Sequence, residues 1–217
     1  MGPGPAVVRP SRRPTGRRRR VNPRRSGLLS CRRQPPRSLS VSHDDSLSRL
    51  DLATLGERLK RACLARGATV TTAESCTGGG VASAITDIAG SSACFETGYV
   101  TYSNAAKTRL LGVPAASIER HGAVSRETVE AMVVGACRES GATLGVAISG
   151  VAGPDGGTPD KPVGTVWFAW GDAAGADSEC RHLAGDRRAV REQAVRVALA
   201  GLIDRLEAAV DDPASRN

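Results

Sequence analysis

Residues 71–90, TTAESCTGGGVASAITDIAG, set a serine beside a cysteine, Ser75 and Cys76, between a β-branched run and a glycine-rich segment. Such a stretch can hold a nucleophile, cradle a phosphate or simply turn a corner. A helix beginning near Cys76 would aim free N–H groups and the positive end of its dipole at an anion or oxyanion. A serine nucleophile needs a base, and the three histidines offer none in an evident pattern. His43 precedes the patterned part, His121 follows a charged pair before a helix, and His182 alternates with apolar residues on an expected strand. No GxSxG motif is present. A desolvated lysine is the recognised substitute, with a tyrosine able to relay or steady the proton. The lysines are Lys60, Lys107 and Lys161. Lys60 falls in the first expected helix, away from the strand ends, whereas Lys107 lies five residues after Tyr102 and is the best placed. A thiolate at Cys76 would suit a helix start but lacks a histidine partner.

The elements that must position these residues begin near residue 46. LSRLDLATLGERLKRACLARG carries Leu52, Leu55, Leu59 and Cys63 on one helical face and ends at Gly67, a good C-cap. TVTTAES predicts a short buried strand, CTGGGVASAITDI a helix with glycines in its first turn, GYVTYSN a second strand, and NAAKTRLLG a short helix from about Asn104. Ser125 fits the N-cap of a helix that ends at Gly141. LGVAISG reads as a central strand covered on both faces, and VAGPDGGTPDKPVG as a turn-rich loop. GTVWFAWG and SECRHLA predict a strand pair across DAAGAD, and the last helix runs from about Asp186 to Ala209. The fold class is therefore α/β: a single three-layer domain over residues 46–210, with a mixed sheet and helices on both faces.

Ligands of open α/β sheets sit beyond the carboxyl ends of strands. Four stretches here end or join strands with unusual composition: Glu74 to Gly79, Thr101 to Lys107, Ser149 to Gly157, and Gly185 to Arg188. Taken singly, each has a structural explanation, since GPDGG is a good turn and glycines 78–80 allow close packing. Their joint placement favours a site. None matches a Walker loop or a dinucleotide GxGxxG fingerprint.

Charge is unevenly placed. Residues 1–45 hold twelve arginines against Asp44 and Asp45, a net +10, so the remaining 172 residues carry −2. That Arg-rich extension has little to bury and is expected to be disordered, as is the tail 211–217. It fits an upstream extension, a targeting peptide or a nucleic-acid-binding arm. The six cysteines have no metal-ligand spacing, and no apolar run approaches the ~20 residues of a membrane span. A reducing cytoplasm is the expected compartment, and enzymes of this class and size often form homo-oligomers such as dimers.

TTAESCTGGG, ITDIAGSSACFETGYVTYSNAAK, HGAVS, SGVAGPDGGTPDKPVGTVWFA and GDRRAVREQA together resemble the C-terminal amidohydrolase domain of the CinA family. The resemblance spans roughly residues 46–210. It implies hydrolysis of the carboxamide of nicotinamide mononucleotide to nicotinate mononucleotide and ammonia, with no metal or organic cofactor. It also implies a serine nucleophile, Ser75, served by Lys107 and Tyr102. Ser92 in AGSSA is a second motif serine, as nucleophile or as holder of the amide. Ser149 and Arg187 match positions expected to contact the nucleotide. Residue type and placement add Thr77, Gly78 and Gly79 to the substrate-binding set, with an oxyanion hole from amides near Cys76–Gly78. Arg187 and the loop of Gly153, Asp155 and Gly156 are expected to hold the phosphate. The rival expectation is a silent nucleotide-binding module, against which the joint presence of Ser75, Tyr102 and Lys107 weighs. The sequence shows no counterpart of the molybdopterin-binding-like half of longer CinA proteins, so the pyrophosphatase activity associated with it is not expected.

Overall fold

The computed structural model of the chain describes residues 46–208, all within one compact unit. The expectations for residues 1–45 and 211–217 lie outside the described residues. A 3-10 turn at Leu47–Arg49 leads to helix α1, Leu52–Arg66, whose first turn is capped by the Asp51 carboxylate accepting from the Thr54 amide. Gly67, left-handed at φ 57°, ends it. Strand β1, Val70–Glu74, is buried throughout and is followed by a turn and helix α2, Gly80–Thr86. A 3-10 turn at Ser91–Ala93 precedes β2, Phe95–Val100. Helices α3, Asn104–Leu111, α4, Ala115–His121, and α5, Arg126–Ser140, come next. Strands β3, Leu144–Gly150, β4, Thr165–Gly171, and β5, Ala176–His182, lead to the long helix α6, Arg187–Ala208.

The five strands lie in the order β2-β1-β3-β4-β5. β1 runs parallel to β2 and β3, while β4 is antiparallel to both β3 and β5, so the sheet is mixed. Side-chain alternation divides its two faces. Val70, Val146, Ile148, Val166, Phe168 and Trp170 pack with α1, α2 and α6, whereas Ala73, Ala147 and Ala169 pack with α3, α4 and α5. The chain leaves β1 for β2 on one side and later reaches β3 on the other, which opens a crevice at the carboxyl end of β1.

Three local readings change. Helix α2 begins at Gly80 rather than near Cys76, because the chain after β1 first makes a turn in which Gly78 and Gly79 take positive φ. The second strand spans FETGYV rather than GYVTYSN, because Ser103 turns the chain and caps α3 by accepting from the Ala106 amide at 3.1 Å. Helix α4 was not foreseen in the sequence; only Ile118 is buried on it, so it carries almost no apolar period. No helix among the described residues is long and apolar enough to cross a membrane.

Helix α6 is seated on the sheet through Gly201, where an added Cβ would collide with the Trp170 ring. That indole cannot yield easily, since its Nε1 donates to the Ala198 carbonyl at 3.0 Å and Arg205 stacks on it at 4.6 Å. Gly201→Ala gains about 1 kcal/mol of helix propensity but overpacks the core at a cost of about 1–3 kcal/mol. A net fall in thermal midpoint of about 4 °C is expected, read from a thermal melt; an unchanged or raised midpoint would contradict it.

Candidate active site

The end of β1 presents two side chains to opposite faces. Alternation sends Glu74 toward α2 and Ser75 toward α3, and each meets a partner there. Lys107, one turn into α3, is 1% exposed. Its Nζ lies 3.1 Å from Ser75 Oγ, donates to the Thr101 carbonyl at 2.8 Å, and is 3.5 Å from the Tyr102 carbonyl. No carboxylate pairs with it among the described residues. Burial therefore holds the Lys107 ammonium below the usual lysine range, opposed only in part by the Cys76 thiol. A neutral amine has two N–H bonds and one lone pair. The two carbonyls take up the N–H bonds, which leaves the lone pair for the Ser75 hydroxyl proton. The other lysines are engaged elsewhere, Lys60 with Glu57 at 2.8 Å and Lys161 with the His121 carbonyl at 2.9 Å.

The turn after β1 is held from both sides. The Glu74 carboxylate, fully buried, accepts from the amides of Gly79, Val81 and Ala82 at 2.9, 3.1 and 2.9 Å. Gly78 and Gly79 follow with φ of 60° and 94°, a region that side chains other than glycine rarely adopt. From α6, Arg191 donates through Nε to the Cys76 carbonyl at 3.1 Å and through Nη2 to the Thr77 carbonyl at 2.8 Å. Neither Glu74 nor Arg191 received a role from the sequence. The alternation of β1 could have pointed Glu74 at the helix, but nothing local links Arg191 to a turn 115 residues away.

The expected oxyanion hole narrows accordingly. The Ser75 amide donates to Ile148, that of Gly78 to the Ser75 carbonyl, and that of Gly80 to Thr77. The amides of Cys76 and Thr77 have no hydrogen-bond partner among the described residues. Thr77 Oγ1, fully buried, also has none. The Cys76 thiol is packed in the core, and burial pushes it up to about 11, so a thiolate is disfavoured there.

Tyr102 is 62% exposed, and its phenol does not reach Lys107; the hydroxyl accepts from Arg187 Nη2 at 3.2 Å, while Arg187 Nη1 donates to the Gly153 carbonyl at 2.9 Å. These contacts join three loops beside a cleft of about 580 Å³, lined by Gly153, Pro154, Arg187, Arg188 and Arg191 among others. Asp155 and Gly156 are exposed in the adjoining loop. Ser149, at the end of β3, is buried and donates its hydroxyl to the Ala123 carbonyl at 2.8 Å, so its proton is already committed. Ser92 is not brought to the cluster. It sits in the turn before β2, and the pairing of Val70 with Phe95 and Glu74 with Val100 puts it at the opposite end of the sheet from Ser75, about 16 Å away along the strand.

The family model of the CinA C-terminal domain matches residues 52–206. The chain is 64% identical over 153 residues to the nicotinamide-nucleotide amidohydrolase PncC of Pseudomonas putida, covering 70% of this chain and 93% of that protein. It is 56% identical over 150 residues to the protein of the same name from Escherichia coli strain K12, covering 69% and 91%. The crystal structure of a competence-damaged protein (CinA) superfamily member from Klebsiella pneumoniae superposes with a TM-score of 0.71 at 43% identity, covering 73% of this chain and 99% of that one.

Proposed function

Because the chain belongs to the CinA C-terminal domain family, we propose that it is an amidohydrolase that converts nicotinamide mononucleotide to nicotinate mononucleotide and ammonia, with Ser75 as nucleophile and Lys107 as base. The observation that carries this reading is the 3.1 Å approach of a buried lysine without a carboxylate partner to Ser75 Oγ. Neutral Lys107 takes the hydroxyl proton as Oγ attacks the carboxamide carbon. A backbone amide of the turn after Ser75 is the donor for the oxygen that becomes negative in the tetrahedral intermediate. Protonated Lys107 then returns its proton to the departing nitrogen, which leaves as ammonia. Water attacks the resulting ester, with Lys107 again as base, and frees the acid and Ser75.

The cleft lined by Gly153, Arg187 and Arg191 suits the rest of the nucleotide. Its volume of about 580 Å³ falls in the usual range for small-ligand sites, and its arginines complement a phosphate. The Tyr102 phenol accepts from Arg187 Nη2 at 3.2 Å, which supports a role for it in holding the substrate. Arg187→Ala is expected to raise KM about tenfold or more, the loss of a charge-assisted hydrogen bond, with a smaller effect on kcat. Ammonia release from nicotinamide mononucleotide by the purified wild-type protein tests the whole reading; tight binding with no ammonia would favour the silent nucleotide-binding module.

A further inference from the structure

We infer that Lys161 is a positioning residue that straps the loop between β3 and β4 to the end of α4 and so fixes one wall of the cleft, an inference that rests on the amidohydrolase reading. The loop is a hairpin extension. At its base the Gly164 amide donates to the Val151 carbonyl and the Val151 amide to the Thr165 carbonyl, both at 2.8 Å. At its tip the amides of Thr158 and Lys161 donate to each other's carbonyls at 3.0 and 3.1 Å. Gly153, Pro154 and Val163, from its two arms, line the cleft. A Cβ added to Gly153 would lie 2.6 Å from Val163 Cγ1, so the arms touch there. Residues 154–160 are exposed. Among the described residues, no side chain from outside the loop bonds any of them.

Two cationic side chains hold the hairpin from its ends. Near the base, Arg187 Nη1 donates to the Gly153 carbonyl at 2.9 Å. At the tip, Lys161 Nζ donates to the His121 carbonyl at 2.9 Å. That carbonyl belongs to the last turn of α4, where carbonyls lack an intrahelical donor and the helix dipole favours a cation. The receiving segment is itself fixed. Ser125 Oγ and Thr128 Oγ1 each donate to the Gly122 carbonyl at 2.8 Å, and Ser149 Oγ donates to the Ala123 carbonyl at 2.8 Å. Ser149 stands at the end of β3, so both the start and the tip of the loop are tied to residues 121–123. The HGAVS segment is thus the post and Lys161 the knot. Releasing Lys161 frees the tip, and with it the arm whose Gly153 carbonyl steadies the Arg187 guanidinium.

The rival role is a helix cap that serves α4 alone, and two measurements separate them. Lys161→Met keeps the stem and removes the donor. Its KM for nicotinamide mononucleotide is expected to rise about tenfold, the scale of one lost hydrogen bond to a charged group. Its kcat should change by less than about threefold, since the loop bonds neither Ser75 nor Lys107. Lys161→Arg, which can still donate to a carbonyl, is expected to keep KM within about threefold of wild type. Hydrogen exchange of the Thr158 and Lys161 amides should quicken about tenfold in the methionine variant, as a local opening rather than a global one. An unchanged KM, a loss confined to kcat, an arginine variant that fails to restore KM, or exchange that quickens only within 115–121 would each overturn the strap. The amidohydrolase reading would survive any of these. Absence of ammonia from the wild-type protein would overturn both.

Discussion

Replacing Ser75 by alanine is expected to lower kcat for nicotinamide mononucleotide hydrolysis by about a million-fold, the scale seen when a serine nucleophile is removed from a machinery that acts as a unit. The geometry explains the size of the effect. Ser75 Oγ is the hydroxyl in contact with Lys107 Nζ, and no other side-chain hydroxyl bonds that amine among the described residues. Thermal stability should be nearly unchanged, because Ser75 is only half-buried and its hydroxyl caps no element. Ser92→Ala, assayed beside it, decides between the two motif serines. The larger loss belongs at Ser75, since Ser92 occupies the other end of the sheet. A larger loss at Ser92, or Ser75→Ala within tenfold of wild type, would remove Ser75 from the mechanism.

Lys107→Met is expected to lower kcat by about a thousandfold, within the range that general acid–base groups contribute, and to change the pH profile as well. Burial disfavours the ammonium, so the neutral amine is populated at lower pH than for a free lysine, whose pKa is about 10.4. The wild-type rate should therefore rise with pH to a plateau, with a midpoint below the free-lysine value, and the methionine variant should lack that rise. The same depressed pKa links stability to pH. Between the folded and unfolded pKa values the unfolded chain binds more protons, so stability rises with pH through that window and is reduced below it. Methionine, which fills the space without a charge, should abolish this dependence and melt no lower than wild type at neutral pH. Residual activity with an unchanged midpoint would exclude Lys107 as the base.

Local sequence signals carried far in this protein. Gly67, Ser125 and Gly141 cap the helices they were expected to cap, because capping depends on a few neighbouring backbone groups. LGVAISG is the central strand its unbroken apolar run implies, and the hairpin across DAAGAD joins β4 to β5. The register of β1 was also implicit, since successive residues of a strand must face opposite ways; that alone separates Glu74 from Ser75. Helix α4 escaped because a seven-residue helix with one buried side chain has no readable period.

The sequence by itself determined the elements apart from α4, their order, the family resemblance and the candidate pairing of a strand-end serine with a helix lysine. Local pattern sufficed for these because β1, β2 and α3 are near neighbours along the chain. The tertiary structure alone decided what surrounds that pair. The strand order β2-β1-β3 puts α3 and α6 on opposite faces of the turn after β1, so Lys107 reaches Ser75 from one side and Arg191 holds the carbonyls of Cys76 and Thr77 from the other. The same order sends Ser92 to the far end of the sheet and brings the Tyr102 phenol to Arg187, 85 residues away. Periodicity specifies which face of an element is buried; the partner it meets there depends on how distant segments pack, and no local pattern encodes that.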